Sequence, residues 1–143
     1  MTPSQACYDL IKRFEGCELK AYIDPVGILT IGYGHTGADV FVGKEITQDE
    51  ADALLEKDFA HAAKRVNDLV RVPISQGEYD ALVSFVYNVG ETNFENSSLL
   101  KKLNAGDFLG ASQQIMRWVH GGGRELPGLV TRRAAEQAMF DLG

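Results

Sequence analysis

Two carboxylates and a hydroxyl within the first thirty residues of this 143-residue chain have the types and spacing to break a glycosidic bond: Glu15, Asp24 and Thr30. That reaction needs one carboxylic acid to protonate the leaving oxygen and a second carboxylate to attack the sugar or to activate a water molecule. Glu15 closes an amphipathic stretch containing Tyr8, Ile11 and Phe14, while Asp24 precedes Pro25 and Gly27, the composition of a turn beside a hairpin. Thr30 can hold a water, because a hydroxyl both donates and accepts. Such a pair of carboxylates also arises by chance, and a glutamate ending a helix is commonly a solvated surface charge.

The flanking residues add information. Phe14-Glu15-Gly16, Ala21-Tyr22-Ile23-Asp24 and Thr30-Ile31-Gly32-Tyr33-Gly34-His35-Thr36 are followed by Ile46-Thr47-Gln48-Asp49-Glu50-Ala51, by Tyr79 through Gly90, and by Gly128-Leu129-Val130-Thr131-Arg132-Arg133-Ala134. Together and in this order they resemble the phage-type lysozymes, the muramidase endolysins of glycoside hydrolase family 24. The resemblance spans nearly the whole chain.

It implies an α+β, mostly helical lysozyme-like fold in a single catalytic domain, 1–143. A small β-sheet lobe would cover about 14–46, a connecting helix about 47–68 and a larger helical lobe about 74–143, on which the N-terminal helix packs. The implied substrate is the glycan strand of bacterial peptidoglycan. Glu15 would be the general acid, Asp24 the carboxylate on the opposite face of the sugar and Thr30 the holder of the attacking water, an inverting arrangement whose carboxyl groups stand roughly 6.5 to 9.5 Å apart. Thr36, Tyr87, Asn88 and Ser97 would bind substrate, with Tyr87 as a stacking ring and Asn88 hydrogen-bonding an N-acetyl group; Ser112 is a further candidate. Arg133 matches the arginine that the family places near the glutamate, with Arg132 the alternative one position away. His35 and Asp58 would form a structural ion pair. Two other readings stay open: a glycan-binding module of the same fold, and a lytic transglycosylase, which would need one acid and no water.

Composition sets outer limits. With 45% hydrophobic and 24% charged residues the chain reads as a folded globular protein of one domain's length. No apolar run approaches the roughly 20 residues of a membrane span, so no membrane insertion is expected. The first residues lack the basic and apolar regions of a secretory signal; the family resemblance then implies residence in the host cytoplasm until a membrane-permeabilising holin gives access to the wall. The formal charge of -6, and the absence of any basic stripe larger than Arg124, Arg132 and Arg133, argue against a nucleic-acid partner. His35, His61 and His120 are too scattered for a metal site, and no cofactor is expected. Cys7 and Cys17 would be too far apart along a helix to form a disulfide. No association motif stands out, and a monomer is the expectation.

The elements that must position these residues follow from period and punctuation. Residues 4–15 read as a helix after Pro3, and 18–43 as a small antiparallel sheet. The capping box Thr47-Gln48-Asp49-Glu50 opens a long helix over about 48–68. Residues 76–89, apolar on nearly every side, read as a buried central helix. Leu99, Leu100 and Leu103 start another helix, a pattern that Phe108, Ala111, Ile115 and Val119 continue. Gly121-Gly122-Gly123 reads as a flexible break, and Pro127 opens the last helix.

Overall fold

A computed structural model describes all of residues 1–143. In chain order the elements are α1 (Gln5–Glu15), β1 (Glu18–Ile23), β2 (Leu29–Gly32), α2 (Gln48–Leu69), α3 (Gln76–Val89), α4 (Glu91–Glu95), α5 (Ser98–Asn104), α6 (Phe108–Ile115), β3 (His120–Gly121), β4 (Arg124–Glu125) and α7 (Pro127–Leu142). The architecture is α+β and mostly helical. No helix is long and apolar enough to cross a membrane.

Local chemistry explains where the principal helices begin and end. α2 and α3 open with reciprocal capping boxes, Thr47 with Glu50 and Ser75 with Glu78, each satisfying two backbone donors that the first helical turn leaves free. α1 stops at Gly16, where φ is +62°. Pro127 stands in the first turn of α7, where its missing N–H costs nothing.

α3 is the axis of the larger core: every residue from Tyr79 to Val86 is buried. Around it α1, α2 and α4 to α7 contribute to one cluster of 20 buried apolar residues, in which Phe85 meets Phe94 edge-to-face at a ring separation of 6.3 Å and is met from the cluster's margin by the partly buried Trp118 at 5.8 Å. A second, separate cluster has four members, Ile31, Val40, Ile46 and Ala51. It lies between the β1–β2 sheet and the start of α2. Lys44, Glu45 and Ile46 extend that sheet by running antiparallel beside β1, with Ala21 N–H donating to the Lys44 carbonyl at 2.9 Å and Ile46 N–H to the Leu19 carbonyl at 2.8 Å.

Three features depart from the sequence expectation. The pattern from Leu99 to Val119 is interrupted at Gly106, where φ is +84° and Asp107 restarts the chain as the N-cap of α6. The five-residue α4 is too short to carry a readable period. Gly121-Gly122-Gly123 is not a flexible break: His120 pairs with Glu125 and Gly121 with Arg124, while Gly122 and Gly123, at φ +60° and +80°, make the two-residue turn. Positive φ at both turn positions is what a tight hairpin requires and what glycine supplies without strain.

His35 ties the small sheet to α2. Its side chain is 10% exposed, with Nδ1 2.6 Å from Asp58 Oδ2 and Nε2 2.9 Å from Asp39 Oδ2. The sequence suggested Asp58; Asp39, four residues along the same loop, is an additional partner. Burial opposes a charge on His35, but the hydrogen bonds to Asp58 and Asp39 outweigh it and raise the imidazole above its ordinary value. Asp39 is held below the usual carboxylate range, chiefly by its bond to His35.

The histidine's contribution to stability is therefore fully present below its unfolded value of about 6.5 and is lost as pH rises through the higher folded value. Asp39's share is lost only as pH falls through a value below the carboxylate norm. Asp58→Asn should accordingly lower the melting temperature most at about pH 5 to 6 and progressively less towards about pH 9, and the His35 NMR titration should move down towards about 6.5. Equal penalties at both ends of that range would show that the contribution of Asp58 does not depend on the charge of His35.

Candidate active site

The β1–β2 pairing brings the sheet's candidate side chains together. Tyr22 and Thr30 are direct cross-strand partners, so their side chains share one face of the sheet, and Asp24 follows Tyr22 by two residues on the same alternation. All three line a cleft of about 750 Å³ whose other wall carries Glu15, Tyr87, Asn88 and Arg132. A smaller cavity of about 170 Å³ shares Gly34, Thr36 and Tyr87 with the cleft and extends to Asp58 and His61.

Asp24 is fixed by its own turn. Oδ1 accepts from the N–H groups of Val26 and Ile28 at 2.9 and 2.8 Å, which leaves the second carboxylate oxygen without a protein partner. Thr30 is buried, and its hydroxyl donates to the Ile28 carbonyl at 2.9 Å. The donated proton fixes the rotamer and leaves the oxygen's lone pairs free to accept from a water.

Glu15 is the last residue of α1, at the negative end of that helix's dipole, an unfavourable place for a carboxylate. Arg132 offsets this: Nη1 donates to Glu15 Oε2 at 2.7 Å, and the guanidinium is itself buried. Burial disfavours a charged Arg132, but the negative charges of Glu15 and Glu136 outweigh it and raise the group above its ordinary value. Glu15 Oε1 has no protein partner. Gly34 makes room for it, since a Cβ built on that residue would lie 2.5 Å from Oε1 and 2.7 Å from the carboxyl carbon.

The arginine at Glu15 is thus Arg132 and not Arg133. Consecutive helical residues point about 100° apart, and at α7 this turns Arg133 towards another set of partners. Its Nε donates to the Trp118 carbonyl at 2.8 Å, Nη1 to Glu136 Oε1 and Nη2 to Asn88 Oδ1. A guanidinium has only donors, so Asn88 presents its oxygen inward and its NH₂ group to the cleft. The Tyr87 hydroxyl donates to the Tyr33 carbonyl at 2.5 Å, so its ring, not its polar tip, remains for a ligand. Burial first, then the charges of Glu15 and Asp58, push that phenol far up.

Two residues proposed from sequence lie elsewhere. Ser97 caps α5, accepting from Leu100 N–H at 3.1 Å and donating to the Phe94 carbonyl at 2.7 Å, and it does not line the cleft. Ser112 is buried against α7, donating to Asp141 Oδ1 at 2.6 Å. Sequence reasoning also missed Tyr22, whose phenol is pushed up by burial and by the charges of Glu15, Glu18 and Asp24 and so stays a donor beside them. The period-two alternation with Asp24 could have revealed it. No group of three or more His, Cys, Asp or Glu side chains is arranged to hold a metal ion. Cys7 and Cys17 are free thiols.

Residues 12–136 match the phage lysozyme family. The chain is 48% identical over 136 residues to the endolysin of Acyrthosiphon pisum secondary endosymbiont phage 1, covering 92% of each sequence. It is likewise 48% identical to the SAR-endolysin of bacteriophage PS119 over 123 residues, 86% of this chain and 74% of that one. Among solved structures, the endolysin from Escherichia coli O157:H7 phage FAHEc1 has a TM-score of 0.83 at 38% identity, over 98% of this chain and 93% of that one.

The void at Gly34 gives a structural prediction. In a crystal structure of Gly34→Ala the Glu15 carboxylate should be found displaced from Arg132, and the melting temperature should fall. Gly43→Ala is the control: it shares a positive φ but its Cβ would face open space, so it should show backbone strain alone, with Glu15 in place. An undisturbed Glu15–Arg132 pair in Gly34→Ala would mean that the glycine serves only the turn.

Proposed function

Because the chain belongs to the phage lysozyme family, whose relatives named above are endolysins, we propose that it hydrolyses the β-1,4 bond between N-acetylmuramic acid and N-acetylglucosamine with inversion at the anomeric carbon. At the coarser level the protein is a lysozyme-type hydrolase directed at bacterial peptidoglycan. The observation that carries the finer reading is that Glu15, Asp24 and Thr30, from three separate elements, line one cleft, each with an oxygen or lone pair left unused by the protein.

In this reading Glu15 gives its proton to the glycosidic oxygen. Arg132 and the void at Gly34 hold the carboxyl in place. A water accepted by the Thr30 hydroxyl sits between that residue and the free oxygen of Asp24, which draws off a proton as the water attacks the opposite face of the sugar. The Tyr87 ring offers a surface for a sugar face, while the Asn88 NH₂ group and the Thr36 hydroxyl are placed to bind acetamido or hydroxyl groups. The same reading keeps residues 14–46 as the active-site lobe, 47–68 as its connection and 74–143 as the helical lobe of one monomeric domain. It has the enzyme made in the host cytoplasm and released to the wall with a holin's help.

Two measurements test it. Glu15→Gln keeps the shape but cannot give up a proton, so lysis should fall by at least the roughly hundredfold that general acid catalysis supplies, with the helical circular dichroism retained. Lysis within threefold of wild type removes Glu15 from its role. On purified peptidoglycan the wild type should release new reducing ends that appear first as the α-anomer by NMR. A first-formed β-anomer would indicate retention, and product without reducing ends would indicate a transglycosylase.

A further inference from the structure

Glu136, on α7, is a carboxylate with no exposure at all, and nothing in the catalytic scheme uses it. Its two oxygens are divided between the two arginines. Oε2 accepts from Arg132 Nε at 3.3 Å and from the Ser84 hydroxyl at 2.5 Å, and Oε1 accepts from Arg133 Nη1. Each arginine then has a second anchor on backbone: Arg132 Nη2 on the Ser84 carbonyl at 3.2 Å, Arg133 Nε on the Trp118 carbonyl. Each spends its remaining contact on a cleft residue, Arg132 on Glu15 and Arg133 on Asn88.

We propose that Glu136 is the positioning residue of the site, a single buried carboxylate that fixes Arg132 behind the acid Glu15 and Arg133 behind the substrate-facing amide of Asn88. The inference rests on the roles given to Glu15 and Asn88 above. Geometry supports a shared anchor: a guanidinium is a rigid planar fork, so holding one edge on Glu136 sets the direction of the opposite edge. Successive residues Arg132 and Arg133 diverge around the helix, and Glu136, four and three residues on, is within reach of both.

Charge supports it as well. With Glu136 present, two carboxylates face two guanidiniums. With a neutral residue there, Glu15 becomes the only carboxylate facing both, which favours its ionised form, and an ionised Glu15 cannot donate a proton. The other groups turned towards this cluster are Cys7 from α1, Tyr87 from α3, Tyr22 from β1 and Asp24 from the sheet loop. Burial keeps the thiol and both phenols uncharged through the neutral range.

The test is Glu136→Gln, assayed as steady-state hydrolysis of solubilised peptidoglycan strands at a temperature where circular dichroism shows it folded. The expected result is a tenfold or greater fall in kcat, a rise in KM from the freed Asn88, and an alkaline limb of the pH–rate profile moved to lower pH by half a unit or more. Leu103→Ala, a core truncation that touches neither arginine, should lower the melting temperature yet leave kcat and the limb unchanged. If Glu136→Gln does not fold, Ser84→Ala decides, removing one bond to the same carboxylate without a change of charge; a fall in kcat of threefold or more is expected. A folded Glu136→Gln with kcat within twofold and an unmoved limb overturns the proposal, as does a folded Ser84→Ala with normal kcat where it must decide. Glu15→Gln run in parallel separates the two readings. If that variant is inactive while Glu136→Gln is normal, only the present inference fails, and if it is active, the assignment of Glu15 fails first.

Discussion

The site is organised by four ionisable groups, the half-buried Glu15 and the buried Arg132, Arg133 and Glu136, contributed by only two helices, α1 and α7, and lodged against α3. Arg132 and Arg133 are 3% and 0% exposed, and burying a charge costs several kcal/mol unless it is paired and hydrogen-bonded. Glu136 lies between the two guanidiniums, and each guanidinium has three anchors. Breaking such a network by removing one partner costs about 3–5 kcal/mol, a large part of the roughly 5–15 kcal/mol that stabilises a domain. The packing of α7 on α3 and the placing of Glu15 are therefore one constraint. Neither can be changed alone.

The sheet side of the cleft is held by different means. Asp24 is oriented by two N–H groups of its own turn, Tyr22 and Asp24 face the cleft through the alternation along β1, and Thr30 joins them as the cross-strand partner of Tyr22 on β2. Their position relative to Glu15 depends on α2, through the small core and through His35. Gly34 is the point where the two sides meet, because only a residue without Cβ lets the Tyr33–His35 turn pass over the Glu15 carboxylate.

Legibility in the sequence followed the length scale of each signal. The helix expected over 76–89 coincides with α3, and the one expected over about 48–68 ends one residue short of α2, because the first is a nearly continuous apolar run of helical length and the second has a capping box and a sustained apolar period. The α+β class was what the family resemblance implied. The β3–β4 hairpin escaped because two-residue strands have no period, and a glycine triplet reads as freedom when two of its members are in fact holding a defined turn. Ser97 shows the opposite limit: a hydroxyl just before a helix is suited equally to a ligand and to its own backbone, and here the backbone takes it. The choice between Arg132 and Arg133 turned on a single step of helical phase. Glu136 was invisible because its importance comes entirely from what surrounds it.

The two hydrophobic clusters are unequal, twenty buried residues on the side of Glu15 and four on the side of Asp24 and Thr30. A cluster so small cannot offset much chain entropy, so the sheet should open locally at a free energy well below that of global unfolding. Amide hydrogens of β1 and β2 would then exchange sooner than those of α3. On heating, the cleft would come apart as a functional unit while most of the helical signal persisted, and inactivation would precede melting.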